Sequence, residues 1–353
     1  MSLQIGIVGL PNVGKSTLFQ ALTKKQVAAE NYPFCTIDPN VGVVEVPDPR
    51  LETLAKLSNS AKMLPTTIEF VDIAGLVAGA SKGEGLGNKF LSHIRDVDAI
   101  VEVVRHFEDN NITHVAGKIE PESDKATIDT ELALADLETV EKRLKKLESE
   151  AKGNRELKLL QTIAALKKIH IVLAEGKPAR IVDLDDDEKL LIKGMSLLTR
   201  KPLLYVNNID EHEIGNIPET DQSLSICAKL ESDLVSLSTA EVKEYLESVG
   251  IKETGLDKLI VASYKLLDLL TFFTSGPIES RAWTVKRGAK APQAAGVIHT
   301  DFEKGFIRSE TISYADFVAC GGEQGAKDKG LMRLEGKEYE MQDGDVCHFR
   351  FSV

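Results

Sequence analysis

Residues 9–16 read Gly9-Leu10-Pro11-Asn12-Val13-Gly14-Lys15-Ser16. They satisfy the pattern G-x-x-x-x-G-K-[ST] at every fixed position. The run Leu3-Gln4-Ile5-Gly6-Ile7-Val8 before them is short and apolar, as a buried strand requires. Thr17-Leu18-Phe19-Gln20-Ala21-Leu22 after them has a helical pattern. Strand, glycine-rich loop and helix in this order make a phosphate cradle, because loop N–H groups and the positive end of the helix converge on one anion. Asn12, Val13, Gly14, Lys15, Ser16 and Thr17 are therefore the candidate nucleotide-binding residues. Lys15 is placed for the β- and γ-phosphates, where it is also a candidate catalytic residue, and the Ser16 hydroxyl for Mg2+.

The chain around this loop has 353 residues and ordinary globular composition, long enough for two or three domains. Its 55 acidic against 43 basic residues leave a formal charge of −12, so the bulk field does not favour nucleic acid and any RNA contact needs a local basic face. The four cysteines, Cys35, Cys227, Cys320 and Cys347, are scattered with no C-x-x-C pair. That argues against a zinc site or disulfide framework and fits a reducing cytoplasm. The chain opens straight into its first strand, so no secretory leader is expected. No apolar run reaches the roughly 20 residues of a membrane span.

Behind the first helix, Thr36 lies in a loop between Pro33 and Pro39. It is the candidate second Mg2+ ligand, in a loop of the kind that orders around the γ-phosphate. A strand expected over 67–71 ends in Asp72-Ile73-Ala74-Gly75. An acid at the carboxyl end of a strand, then a glycine three positions on, is the second half of a triphosphate site. Asp72 serves the metal through a water, and Gly75 brings an unobstructed N–H to the γ-phosphate. Leu76 follows, where Ras-like enzymes hold a water-orienting glutamine. Leucine cannot orient water, so hydrolysis is slow or another group does that work. His106 and His114 flank the polar loop after a strand over 99–104, and either is a candidate to handle the water.

Leu137, Val140, Leu144 and Leu147 then recur at helical spacing. Gly153-Asn154 breaks the run, and Leu160, Ile163, Leu166, Ile169 and Leu173 resume it. This is a coiled-coil-like helical hairpin inserted at about 125–200, and Asp185 to Glu188 opens the next helix. The α/β pattern returns with a strand over 203–206 that ends in Asn207-Asn208-Ile209-Asp210-Glu211. GTPases carry N-K-x-D at this place. Read from Asn207 the stretch is N-N-I-D, and read from Asn208 it is N-I-D-E, so these residues alone leave the base open. Ser225-Ile226-Cys227-Ala228-Lys229 is placed to close over the base. A helix is expected over about 256–273, a strand over 279–285, a small-residue loop over 288–295 and a final strand over 346–351. The elements from 275 onward form a separate small α+β domain.

Four stretches point one way together. They are residues 9–16, Pro33-Phe34-Cys35-Thr36-Ile37, Asp72-Ile73-Ala74-Gly75-Leu76 with its glycine-rich tail, and His299-Thr300-Asp301-Phe302-Glu303-Lys304-Gly305-Phe306. They resemble the YchF/Obg-like ATPase family of translation-factor-class P-loop proteins, essentially end to end. The resemblance implies an α/β fold: a P-loop G-domain with a mainly parallel sheet over 1–274, carrying the helical insertion, and a TGS domain of ubiquitin-like β-grasp fold over 275–353. It implies ATP in preference to GTP, with a base motif N-x-x-E that selects Asn208, Ile209 and Glu211. A glutamate, one methylene longer than aspartate, no longer matches guanine's paired donors. The resemblance further implies a catalytic histidine at His114, K+ held by Asn12, and association with the ribosome or a ribosomal subunit and its RNA. No membrane is involved, and a monomer is expected. The leading expectation is thus a P-loop ATPase, slow without a partner, acting as a Mg2+-dependent switch. The competing readings are an Obg- or DRG-type GTPase and a nucleotide-bound scaffold with negligible hydrolysis.

Overall fold

The computed structural model describes residues 3–25, 40–73, 86–109, 112, 118–153 and 156–352. The chain condenses into two compact units, one of Met1–Val43 with Glu69–Lys258 and the other of Val44–Ile68 with Leu259–Val353. In chain order, β1 (Gln4–Val8), α1 (Lys15–Lys24) and β2 (Val41–Glu45) come first. The second unit then takes α2 (Pro49–Leu57) and β3 (Lys62–Leu64). The chain returns through β4 (Thr67–Asp72), α3 (Leu86–Asp96), β5 (Ala99–Arg105), the long helices α4 (Pro121–Ala151) and α5 (Leu157–Ala174), and α6 (Asp186–Ile192). It continues through β6 (Leu203–Asn208), β7 (Ser223–Ile226), α7 (Ala228–Leu234), α8 (Thr239–Ser248) and α9 (Gly255–Leu266).

The first sheet has the order β2-β4-β1-β5-β6-β7. β1 pairs in parallel with β4 and β5, β5 with β6, and β6 with β7. Parallel strands joined by helices are covered on both faces, and all seven residues of β5 are buried accordingly. The same direction of travel brings the carboxyl ends of β1, β4, β5 and β6 to one edge, which is where open α/β sheets hold their ligands.

α4 and α5 form the expected hairpin. Val140, Leu144, Leu147, Ile163, Leu166, Ile169 and Leu173 are buried between the helices and their neighbours. Leu160, expected in the same stripe, is 44% exposed. Asp136 ties the hairpin down, since its buried carboxylate accepts from the Leu198 and Thr199 N–H groups and from the Thr199 hydroxyl. Asp185 caps α6 in a reciprocal capping box with Glu188. Below the hairpin a polar layer meets the sheet. The Tyr205 hydroxyl donates to Asp129, Arg180 faces the same carboxylate, and Glu102 is buried beside them with neither oxygen paired. Among the described residues no helix is long and apolar enough to cross a membrane.

The second unit adds β8 (Leu269–Ser275), β9 (Glu279–Lys286), α10 (Ala291–Ile298), α11 (Thr300–Lys304), β10 (Phe306–Ser313), α12 (Tyr314–Ala319), α13 (Glu323–Asp328), β11 (Arg333–Glu335) and β12 (Asp345–Phe351). Its sheet order is β11-β10-β12-β8-β9-β3. β8 and β9 form an antiparallel hairpin, β12 lies parallel to β8, and β10 runs antiparallel to β12 and β11. That is a β-grasp sheet, extended at its β9 edge by β3. One face packs Phe272 and Phe349 on Ala294 and Ala295, and the other packs Phe273 on Leu54 and Phe317.

Three boundaries differ from the sequence reading. The helix expected to Phe273 ends at Leu266, because Asp268 adopts a left-handed φ of 53° and the aromatic run behind it becomes β8. The division expected at 274/275 therefore falls inside the β8–β9 hairpin, whose strands share one hydrogen-bond ladder. Residues 288–295, expected as a loop, contain the start of α10, whose Ala291, Ala294 and Ala295 are fully buried.

Candidate nucleotide site

β1 and β4 end side by side, with Ile7 opposite Asp72 in the parallel ladder. Beyond Val8 the chain turns through residues 9–14 and enters α1. Two residues of the turn have left-handed backbone, Asn12 at φ 64° and Gly14 at φ 92°. Gly14 is the N-cap of α1 and supplies no side-chain cap, so the first helical N–H groups remain for a ligand. A Cβ at Gly14 would also land on the Asn208 amide, so glycine is required by both conformation and space. Lys15 Nζ pairs with Asp72 Oδ1, and both line one cavity with Asn12, Ser16 and Thr17.

That cavity of about 1090 Å³ continues from the phosphate loop to the end of β6. Asn208 joins the two ends. Its Nδ2 donates to Val13 O at 2.9 Å, and its Oδ1 accepts from Ala228 N at 3.0 Å, at the start of α7. Asn207 points elsewhere, with Nδ2 donating to Ser223 Oγ at 2.9 Å. Asp210 is engaged in the loop itself: it caps the turn Glu211–Glu213, and its Oδ2 accepts from Glu108 N. Glu211 lies on the cavity wall, and its Oε1 accepts the Tyr245 hydroxyl at 2.6 Å. This bond pushes the Tyr245 hydroxyl up to about 12, so it stays a donor at neutral pH. Cys227, Ala228 and Lys229 complete the wall. Burial pushes the Cys227 thiol up, away from thiolate reactivity.

The facing wall is the loop after β5. Arg105 ends that strand and is 1% exposed. Its guanidinium donates to the carbonyls of Phe107, Asp109 and Ile112 and stacks 4.4 Å from the Phe107 ring centroid. Phe107, Glu108, Asp109 and Ile112 all line the cavity. A buried arginine thus holds a polar loop in place through its own backbone.

Residues 4–136 match the family described as "50S ribosome-binding GTPase", and residues 269–352 match YchF-GTPase_C, "Protein of unknown function (DUF933)". The "Ribosome-binding ATPase YchF" of Bacillus subtilis is 54% identical over 367 residues, covering all of both chains. The protein of the same name from Haemophilus influenzae is 54% identical over 365 residues, again covering both chains. The chain belongs to the YchF family. The solved Schizosaccharomyces pombe YchF GTPase is 38% identical with a TM-score of 0.88, covering 99% of this chain and 98% of that one. The names of these YchF relatives divide between ATPase and GTPase, which puts the weight on the base end of the cavity.

Of the residues singled out in this YchF chain from sequence, Asn12, Gly14, Lys15, Ser16, Thr17, Asp72, Asn208, Ile209 and Glu211 line the cavity together. Val13 contributes its carbonyl to Asn208 while its side chain is buried. Thr36, Gly75, Leu76 and His114 lie outside the described residues. The other histidine, His106, has its Nε2 buried without a partner, and burial together with Lys125 lowers its basicity. Arg105 and Tyr245 were missed. An arginine ending a strand whose only other charge is Glu102 was the available signal for Arg105. Tyr245 carries none, being 34 residues from the glutamate it meets. The Ser16 hydroxyl and Asp72 carboxylate are hard oxygen donors on one wall, the chemistry Mg2+ takes alongside phosphate oxygens and water, so the residues fit that cation.

Proposed function

We propose that this chain is a nucleotide-dependent switch that binds and hydrolyses ATP in preference to GTP and associates with the ribosome in the cytoplasm. The observation that carries the reading is the end-to-end identity with proteins named ribosome-binding ATPase. The cavity supports it: a phosphate cradle at one end and a base end without N-K-x-D at the other.

In this reading the loop amides and the start of α1 bind the triphosphate, and Lys15 leaves Asp72 for the β- and γ-phosphates. Ser16, Thr36 and, through water, Asp72 hold Mg2+, which supplies charge neutralisation on the phosphates. Gly75 offers its N–H to the γ-phosphate. His114 handles the attacking water that Leu76 cannot orient. Asn12 is the candidate ligand for K+, and the chain acts as a monomer. At the far end Asn208 and Ile209 position the base, and Glu211 accepts from its edge.

Single-turnover hydrolysis with and without ribosomes tests this, with Lys15→Ala as control. Acceleration by ribosomes and loss of binding in Lys15→Ala are expected. Hydrolysis indistinguishable from buffer under both conditions overturns the switch. A GTPase is the second reading, favoured by the family description matched at residues 4–136 and by the name of the fission yeast relative.

A further inference from the structure

One contact at the base end comes from a residue that does not itself line the cavity. Tyr245 sits on α8, and its ring packs on the apolar cluster of Ile209, Cys227, Leu230 and Leu234 beneath the base-side loop. From there its hydroxyl reaches Glu211 Oε1 at 2.6 Å. A carboxylate only accepts, so the hydroxyl donates. Among the described residues Glu211 Oε2 has no partner. The carboxylate on the cavity wall is therefore half engaged before any nucleotide arrives.

We infer that Tyr245 sets the choice of base, by holding Glu211 Oε1 in its own hydrogen bond so that the carboxylate cannot turn both oxygens to one edge, an arrangement that suits adenine and not guanine. Guanine presents two adjacent donors on its edge, N1–H and the 2-amino group; the mismatch expected of a glutamate there holds while Tyr245 keeps the carboxylate turned, and a carboxylate free to turn takes the two donors as a pair. Adenine presents one donor group there, the 6-amino, beside the N1 acceptor. A carboxylate that turns one oxygen to the base loses nothing with adenine. With guanine it leaves one desolvated donor unmatched, the condition under which sites discriminate strongly. The inference rests on the reading that Glu211 faces the base.

The test is Tyr245→Phe, which keeps the ring in its cluster and removes only the hydroxyl. Affinities for ATP, GTP and ITP are measured by competition with Mg2+ present. ITP keeps the N1–H of guanine and lacks its 2-amino group. In the parent protein ITP, whose one donor can meet the free oxygen, should bind more tightly than GTP, and GTP more weakly than ATP. In the variant GTP should gain about ten-fold on both ATP and ITP, the worth of one added bond to a charged acceptor. An unchanged ATP-to-GTP ratio, or parallel weakening of all three, overturns the inference. Glu211→Ala separates the two levels. If it moves the ratio while Tyr245→Phe does not, only the role of Tyr245 falls. If it leaves every affinity unchanged, Glu211 does not read the base, and both fall.

Discussion

Asn208→Ala is the substitution whose consequences the geometry defines most closely. The side chain is 5% exposed and spans two elements that share no backbone ladder, the phosphate loop at Val13 and the start of α7 at Ala228. Truncation leaves the Val13 carbonyl and the Ala228 N–H without partners, in residues 1% and 2% exposed, where water cannot readily replace the amide. Each buried group left unsatisfied costs about 1–3 kcal/mol, so the arrangement of loop against base wall loses about 2–6 kcal/mol. ATP affinity, measured by calorimetry with Mg2+, should fall at least thirty-fold, roughly the lower end of that range. Asn207→Ala is the internal control. It removes one bond to Ser223 on a side chain that does not line the cavity, so ATP affinity should hold while thermal stability drops by about 1 kcal/mol. Equal loss of affinity in the two variants, or none in Asn208→Ala, would mean that Asn208 does not join loop to base wall and would reopen the alternative register.

Arg105→Met should remove the three carbonyl anchors of the loop from Phe107 to Ile112, weakening ATP and GTP in parallel by about ten-fold. A change in the ratio of the two affinities would show that the loop does more than form a wall. Glu102 is held well above its ordinary range by burial first and by Asp129 next. The unfolded chain releases this proton near 4.5 and the folded chain higher, so the folded state binds more protons in between and loses stability as pH rises. Thermal unfolding of Glu102→Gln should therefore gain on the parent protein between pH 5 and pH 8. A pH-independent difference would mean that Glu102 does not carry the proton. His114→Ala should slow single-turnover hydrolysis with ATP binding intact, and unchanged hydrolysis would remove His114 from the mechanism.

The phosphate end was legible because its geometry is local: glycines, lysine and hydroxyl sit within one turn, and backbone amides do the rest. Asp72 was equally legible, since the end of a short alternating strand is visible in the chain. The choice between Asn207 and Asn208 was not. Neighbouring residues of a strand point to opposite faces, and only the packed sheet says which face meets the phosphate loop. Arg105 was opaque for a related reason: its partners are three carbonyls, and carbonyls leave no mark in a sequence. The second unit was read correctly in kind and wrongly in extent. Its hidden part, α2 and β3, joins through the parallel β3–β9 pairing across more than two hundred residues. The helix over 256–273 failed because apolar spacing alone does not separate a helix end from a buried strand.

The phosphate cradle accepts any nucleoside triphosphate, so the function turns on the base. Competitive binding of ATP and GTP to the full chain, with Mg2+ present and each nucleotide displacing a common fluorescent reporter, tests it most directly. ATP should bind the more tightly, and GTP bound ten-fold or more tighter than ATP would contradict the preference for ATP.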